Sequence, residues 1–338
     1  MSIVKRIFAR RKVHREMILR HTSLAVILLL WPLRAFAQAP ARVGILVPDL
    51  GRAQSQAIKG LTEELKRLGY VNRKNLVLET RNVKGNRAAL QPAATELIGH
   101  KLRLIFTTGT SATRAAAMAT LDTPIVFVHP GDPVAAGLLK GAKDRAANLT
   151  GVAAYAGETT ETRLALFKEI LPGLRKIIVF FDANNGASRD NFRQAESAAK
   201  QLALEVDARA IKSADELRTT IANLHAEGGA AIFQVADELL EGEADFLFES
   251  ARAKKIPTMF NEESWAINGA LAAYGPNYFE MGRKAAGLAA KIIRGERAAA
   301  LAVERATKFD LTLNYRTSNF IGVRFSAELL KKADKIIR

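Results

Sequence analysis

The 338-residue chain contains no cysteine. That absence excludes disulfides, a thiol nucleophile and a lipid-bearing cysteine that would tether the protein to a membrane. Histidine is also scarce. Beyond the first 37 residues only His100, His129 and His225 occur, and they are scattered. His129 is not expected to hold a metal, because no second ligand lies at helical or turn spacing from it, and no metal site is assigned. The sequence lacks G-x-S-x-G, H-E-x-x-H and G-x-x-x-x-G-K-[ST]. Pro48-Asp49-Leu50-Gly51 stands where a G-x-G-x-x-G turn would follow the first strand. No catalytic residue and no cofactor is therefore assigned. Aromatic residues make up 7% of the chain, and no Lys/Arg block interleaves with them. A nucleic-acid groove would need that pattern, so none is expected.

What the sequence does contain begins with a leader. Lys5, Arg6, Arg10, Arg11, Lys12, Arg15 and Arg20 precede the apolar run Leu24–Trp31, which Pro32 closes. Ala35-Phe36-Ala37 supplies small residues at the two positions a signal peptidase reads. This order predicts a secretory signal over 1–37 and a mature start at Gln38. The run is shorter than the roughly 20 residues of a membrane-spanning helix. Met17 opens a signal of ordinary proportions, so translation from Met17 is a second reading of the start. An exported chain without a lipidated cysteine fits a free periplasmic protein.

The formal charge is +16; residues 1–37 hold eight Lys or Arg against one acid, which leaves +9 on the remainder. Solvated helix faces account for most of that excess, with a bias toward anionic ligands or acidic partners as the alternative.

Beyond the leader, continuous apolar strands alternate with amphipathic helices, which predicts parallel sheets covered on both faces. Strands are expected at 42–47, 76–80, 102–107 and 124–128, with helices at 53–69, 86–99 and from Ser111. A second series follows the crossing at Thr150–Tyr155. It has helices at 158–171, 188–202 and 214–226 and strands at 176–181, 204–211, 230–235 and 257–260. Leu76 to Leu104 and Leu204 to Ile232 each bracket strand, helix and strand in 28 residues, offset by 128. That offset points to two lobes built on one plan. After a strand at 269–274, a helix at 276–294 is expected to return to the first lobe, followed by a strand at 309–313 and a helix at 327–337. The expected division is a signal at 1–37, a first lobe at 38–152 plus 275–338, and a second at 153–274.

Ligands of open α/β sheets sit at the carboxyl ends of the strands, so residues just after each strand are the candidates. Thr108, Gly109, Thr110 and Ser111 combine hydroxyls, a glycine and a helix start, which suits a carboxylate or phosphate. Ordinary capping by Thr110 or Ser111 is the other reading. His129 begins a rigid turn, His129-Pro-Gly-Asp132-Pro133, and is placed beside the cleft rather than on a metal. Asp182, Asn184 and Asp237 stand at equivalent strand ends of the second lobe, where an acid would receive an ammonium group or cap a helix. Tyr155 and Tyr274 lie near crossings, where an aromatic ring stacks on a ligand or packs in the core.

The ordered segments Gly60–Tyr70, Asn75–Glu79, Thr108-Gly-Thr110, Thr123–Val128, Gly131-Asp-Pro133, Asn148-Leu-Thr-Gly151, Tyr274-Gly275 and Ala306–Phe309 carry a resemblance. The chain resembles the periplasmic substrate-binding components of ABC transporters, in the tryptophan/tyrosine-type or uncharacterised branch. The resemblance implies a type I periplasmic-binding-protein fold: two Rossmann-like lobes, three crossings and a ligand closed in the cleft. It implies a carboxylate at Thr108–Ser111 and a second-lobe acid at Asp237. Asp182-Ala-Asn-Asn185, Tyr274-Gly-Pro-Asn277 and Ser264 depart from the pattern of relatives. The expected partners are a small-molecule ligand, an amino acid or related carboxylate, and an inner-membrane ABC permease, with the protein itself a monomer. A ligand sensor for a membrane receptor or kinase is the second function, and a periplasmic enzyme the third.

Overall fold

In a computed structural model, which describes residues 39–139, 148–155, 159–225 and 228–338, the apolar runs form two sheets. The signal over 1–37 lies outside the described residues. The first series is β1 (Ala41–Val47), α1 (Arg52–Arg67), β2 (Leu76–Asn82), α2 (Leu90–Gly99), β3 (Leu104–Thr108), α3 (Gly109–Ala119), β4 (Ile125–His129) and β5 (Leu149–Ala153). The second opens with α4 (Thr160–Ile170), β6 (Lys176–Asp182), α5 (Gly186–Gln201), β7 (Glu205–Ile211), α6 (Ala214–Ala222) and β8 (Ala230–Phe233). It continues with α7 (Glu238–Gly242), α8 (Ala244–Ala253), β9 (Thr258–Phe260), α9 (Glu263–Asn268) and β10 (Ala272–Pro276). The chain then runs through α10 (Tyr278–Ile293), β11 (Glu304–Arg305), β12 (Phe309–Asn314), α11 (Tyr315–Ile321), α12 (Ala327–Lys332) and β13 (Lys335–Ile337).

The first sheet has the order β2-β1-β3-β4-β5-β11 and the second β7-β6-β8-β9-β10-β12-β13. The first five strands of each sheet share one order, which is the two-lobe plan the sequence offset points to. Every pairing is parallel except β10 with β12. Strand order reverses at β1 in one sheet and at β6 in the other. The crevices beside those strands, at their carboxyl ends, are where such sheets hold ligands.

The strands explain themselves by burial. β3 and β4 are buried at every position, as fits strands covered on both faces. The chain passes from the first sheet to the second after β5, back for β11, and over again to β12, giving three crossings. α10 returns to the first lobe, as expected. Its Met281, Ala285, Ala286, Leu288 and Ala289 join the core that contains Val43, Ile45, Ala57, Leu61 and Leu65.

The tail differs from expectation. β12 pairs with β10, and β13 with β12, so the last strands extend the second sheet. Assigning all of 275–338 to the first lobe fails there. The helix expected over 327–337 stops at Lys332. Asp334 then bonds Leu311 through its own N–H and through its carboxylate, at 2.9 and 2.8 Å. Those bonds set Lys335–Ile337 in register beside Thr312–Asn314, and tertiary pairing overrides local helix preference.

Candidate functional site

In the first lobe the site grows from the end of β3. Thr108 is buried, and Gly109 takes φ +76°, the left-handed region that a side chain disfavours. This turn starts α3 immediately, two residues before the expected Ser111. The N-cap residue is Thr108, and it makes no side-chain cap. Neither Thr110 nor Ser111 acts as the cap, and Ser111 lies half-buried in the first turn. Thr113 Oγ1 donates to the Gly109 carbonyl at 2.6 Å and accepts from Thr107 Oγ1 at 2.8 Å. Thr108 Oγ1 is buried with no hydrogen-bond partner among the described residues.

His129 ends β4 and is 5% exposed. Its Nδ1 accepts the Gly131 N–H at 3.0 Å, so that nitrogen carries no proton. The neutral ring then holds its proton on Nε2, which donates to Thr110 Oγ1 at 2.9 Å. Burial pulls the imidazole below its ordinary value, opposed in part by the nearby Asp132 charge. Thr110 therefore receives a hydrogen bond from His129 and keeps its own hydroxyl hydrogen for another acceptor.

The second lobe presents a matching pair of strand ends. Asp182 ends β6, and its Oδ1 accepts the Asn184 N–H at 2.8 Å. Asn184 itself is exposed. Asn185 caps α5 through Ala187 N–H at 3.0 Å and donates from Nδ2 to Asp237 Oδ2 at 3.1 Å. That bond spans the crevice between β6 and β8. Asp237 Oδ1 accepts the N–H groups of Leu239 and Leu240 at 2.8 and 3.0 Å. Asp237 thus caps α7, and Oδ2 retains capacity for a further donor.

The two tyrosines separate. Tyr155 stands in the first crossing at φ +47°, its ring 4.2 Å from the Arg305 guanidinium. Its N–H reaches the Gly131 carbonyl at 3.4 Å, which links it to the His129 turn. Tyr274 lies within β10 and stacks on Phe309 with ring centroids 5.9 Å apart. It is half-buried and packs against the core of the second sheet, one of the two readings its position allows. The structure therefore brings together Thr108, Gly109, Thr110, Ser111, His129 and Tyr155 in one lobe, and Asp182, Asn184, Asn185 and Asp237 in the other.

Two groups outside these candidates stand out. Glu262 follows β9 and accepts from Ser264 Oγ at 2.6 Å and Tyr278 OH at 2.9 Å. Burial pushes its carboxyl up, those two donors pull it down, and Asp49 and Glu263 push it up. It borders a cavity of about 280 Å³ lined also by Arg52, Gln56, Lys59, Phe279 and Lys335. None of the candidate residues named from the sequence lines this cavity. Arg52 and Lys335 both pair with Glu263, at 3.0 and 2.6 Å, so the start of α1 is tied to α9. Applying the strand-end rule to β9 would have found Glu262. The second group is Arg163, buried on α4 against Phe233 and Gln234. An arginine at apolar helical spacing with Leu166, Phe167 and Ile170 was its signal.

The model of the family described as ABC transporter substrate binding protein matches residues 42–337. A tyrosine-binding protein from Clostridioides difficile is 26% identical over 285 residues, covering 84% of this chain and 81% of the relative. The solved structure of an ABC domain from Streptococcus pneumonia in complex with L-Trp is 20% identical, with TM-score 0.76. It covers 88% of this chain and 100% of its own. A conserved domain protein from Vibrio cholerae gives TM-score 0.74 at 23% identity, covering 88% and 99%. At these identities the solved structures speak for the fold alone, which is that of type I periplasmic-binding proteins.

Proposed function

The chain belongs to the ABC transporter substrate-binding protein family, and we propose that it captures an amino acid or related carboxylate between its lobes and delivers it to an ABC permease. The observation that carries the ligand class is the start of α3. There Thr110 has a hydroxyl hydrogen to give, because His129 Nε2 donates to its oxygen. The first N–H groups of the helix have no side-chain cap. Donors at a helix N-terminus, with the positive end of the helix dipole, favour a carboxylate. Asp237 Oδ2, held by Asn185, offers an acceptor for an ammonium group from the facing lobe. The relatives that hold tyrosine and tryptophan support an amino acid. The leader reading and the family, whose members work outside the cytoplasm, support a periplasmic location. Among the described residues no helix is long and apolar enough to cross a membrane.

Mass spectrometry of protein purified under native conditions from the periplasm tests this reading, together with calorimetry using L-tyrosine and L-tryptophan after ligand is stripped. A co-purifying amino acid or carboxylate, or heat on titration, is the expected result. Protein recovered from the cytoplasm, or free of carboxylates and silent to both probes, rejects it.

A further inference from the structure

Arg163 is 3% exposed. Its Nη2 donates to the Gln234 carbonyl at 2.7 Å, and its guanidinium lies 4.3 Å from the Phe233 ring centroid. Among the described residues Nε and Nη1 have no hydrogen-bond partner, and no acid pairs with the guanidinium. A carbonyl and a ring face soften a positive charge without neutralising it. Burial alone pulls the guanidinium down to about 9, so it remains a cation at neutral pH. Enclosing an uncompensated charge is expensive, and a purely structural position of this kind is served better by an apolar residue.

Its position gives the expense a purpose. Phe233 ends β8 and Gln234 is the next residue, so Arg163 sits beneath the carboxyl end of β8, beside the crevice where strand order reverses. The side-chain carbonyl of Gln234 is also buried without a partner among the described residues. Gln234 opens the segment 234–237, which bonds Asn191 through the Ala236 carbonyl at 2.8 Å and Asn185 through Asp237.

We propose that Arg163 is the anion receptor of the second lobe, donating from Nε and Nη1 to an acidic group of the ligand that reaches it when the 234–237 segment gives way. With the start of α3 holding a first carboxylate, the ligand class narrows to molecules with two acidic groups, dicarboxylates or acidic amino acids. This inference rests on the reading of the chain as a carboxylate-binding protein.

Succinate, glutarate, L-aspartate and L-glutamate are titrated calorimetrically into the stripped full-length protein, with L-asparagine and L-glutamine as matched amides. At least one acidic amino acid binds at least about tenfold tighter than its amide, the effect of a hydrogen bond between charged groups. Arg163→Gln removes that preference, and Arg163→Lys, which keeps the charge, retains part of it. An amide bound as tightly as its acid by the wild type overturns the inference, and so does a preference unchanged in Arg163→Gln. If neither variant folds, the wild-type comparison of acid with amide decides alone. Binding of L-tyrosine or L-tryptophan with no response to any diacid sinks the role of Arg163 and leaves the proposed function standing. Silence to every probe, with no carboxylate co-purifying, sinks both.

Discussion

Gly60 on α1 and Gly282 on α10 each face the other helix's backbone. A methyl at Gly60 would lie 2.0 Å from the Phe279 carbonyl oxygen, and one at Gly282 would lie 2.0 Å from that of Ala57. The two helices therefore meet at backbone contact, and this seats α10 in the first lobe although β10, just before it, belongs to the second sheet. The seating of α10 in the first lobe rests on an absence of side chains at two positions.

Gly60→Ala and Gly282→Ala should each cost about 3 kcal/mol, at the upper end for overpacking, because the clash is with rigid backbone. Gly287→Ala is the control. It lies on the same helix with nothing within 4 Å of an added methyl. Relief of helix-interior glycine entropy should stabilise it by about 0.5–1 kcal/mol. Thermal melts of the three variants check this, and equal destabilisation at all three positions would refute the backbone-contact account.

Much of this architecture is legible in the sequence. Apolar runs such as Ile125–His129 and Lys176–Asp182 read as strands because both faces are buried. What escapes is whatever depends on a distant partner. Lys335–Ile337 reads as helix until Leu311 and Thr312 are placed beside it. Thr110 is recognisable as a helix-start residue, yet its role as a donor is set by His129, 19 positions away. Tyr274 and Tyr155 look alike in the sequence; only the structure shows that the first stacks on Phe309 and that the second links to Gly131. Asp237 is legible as a strand-end acid, but the sequence does not reveal that Oδ1 is already occupied by α7.

Burial holds the Glu262 carboxyl above its ordinary 4.5. The folded state therefore keeps this proton to higher pH than the unfolded chain. The resulting stability is full below about 4.5 and is lost as pH rises through the folded value. Glu262→Gln is neutral throughout, so its melting temperature should exceed the wild type's at pH 8 and approach it near pH 4. Melts across that range test this, and a wild-type advantage at pH 8 would contradict it.

His129 carries the opposite sign. Burial holds its ring below its ordinary 6.5, so the unfolded chain binds this proton first as pH falls. Stability is full above about 6.5 and declines below it until the folded ring also protonates. The wild type should lose melting temperature between about pH 7 and pH 5, and His129→Gln should lose less. Parallel melts of the two proteins measure the difference directly, and identical pH profiles would exclude a depressed histidine.

Thr110 and Asp237 should separate binding from folding. Among the described residues Thr110 Oγ1 has one partner, His129, and it is not the cap of α3. Thr110→Ala removes a donor to a charged group, about 1.5–3 kcal/mol, or roughly tenfold to a hundredfold in affinity for the co-purifying ligand. Its melting temperature without ligand should fall modestly, because the buried His129 is left with an imidazole N–H unpaired. Asp237 differs, since its Oδ1 holds two N–H groups of α7 and its Oδ2 holds Asn185. Asp237→Ala should cost about 1–2 kcal/mol of stability with no ligand present, the range for a lost cap. Asp237→Asn keeps the capping oxygen and removes the charge, so it should recover much of that stability. If an ammonium group sits on Oδ2, the affinity lost in Asp237→Ala stays lost in Asp237→Asn. Calorimetry and melts on the three variants read both axes. Affinity that returns along with stability in Asp237→Asn would mean that Asp237 only shapes the α7 turn and that the ligand's positive group is held elsewhere.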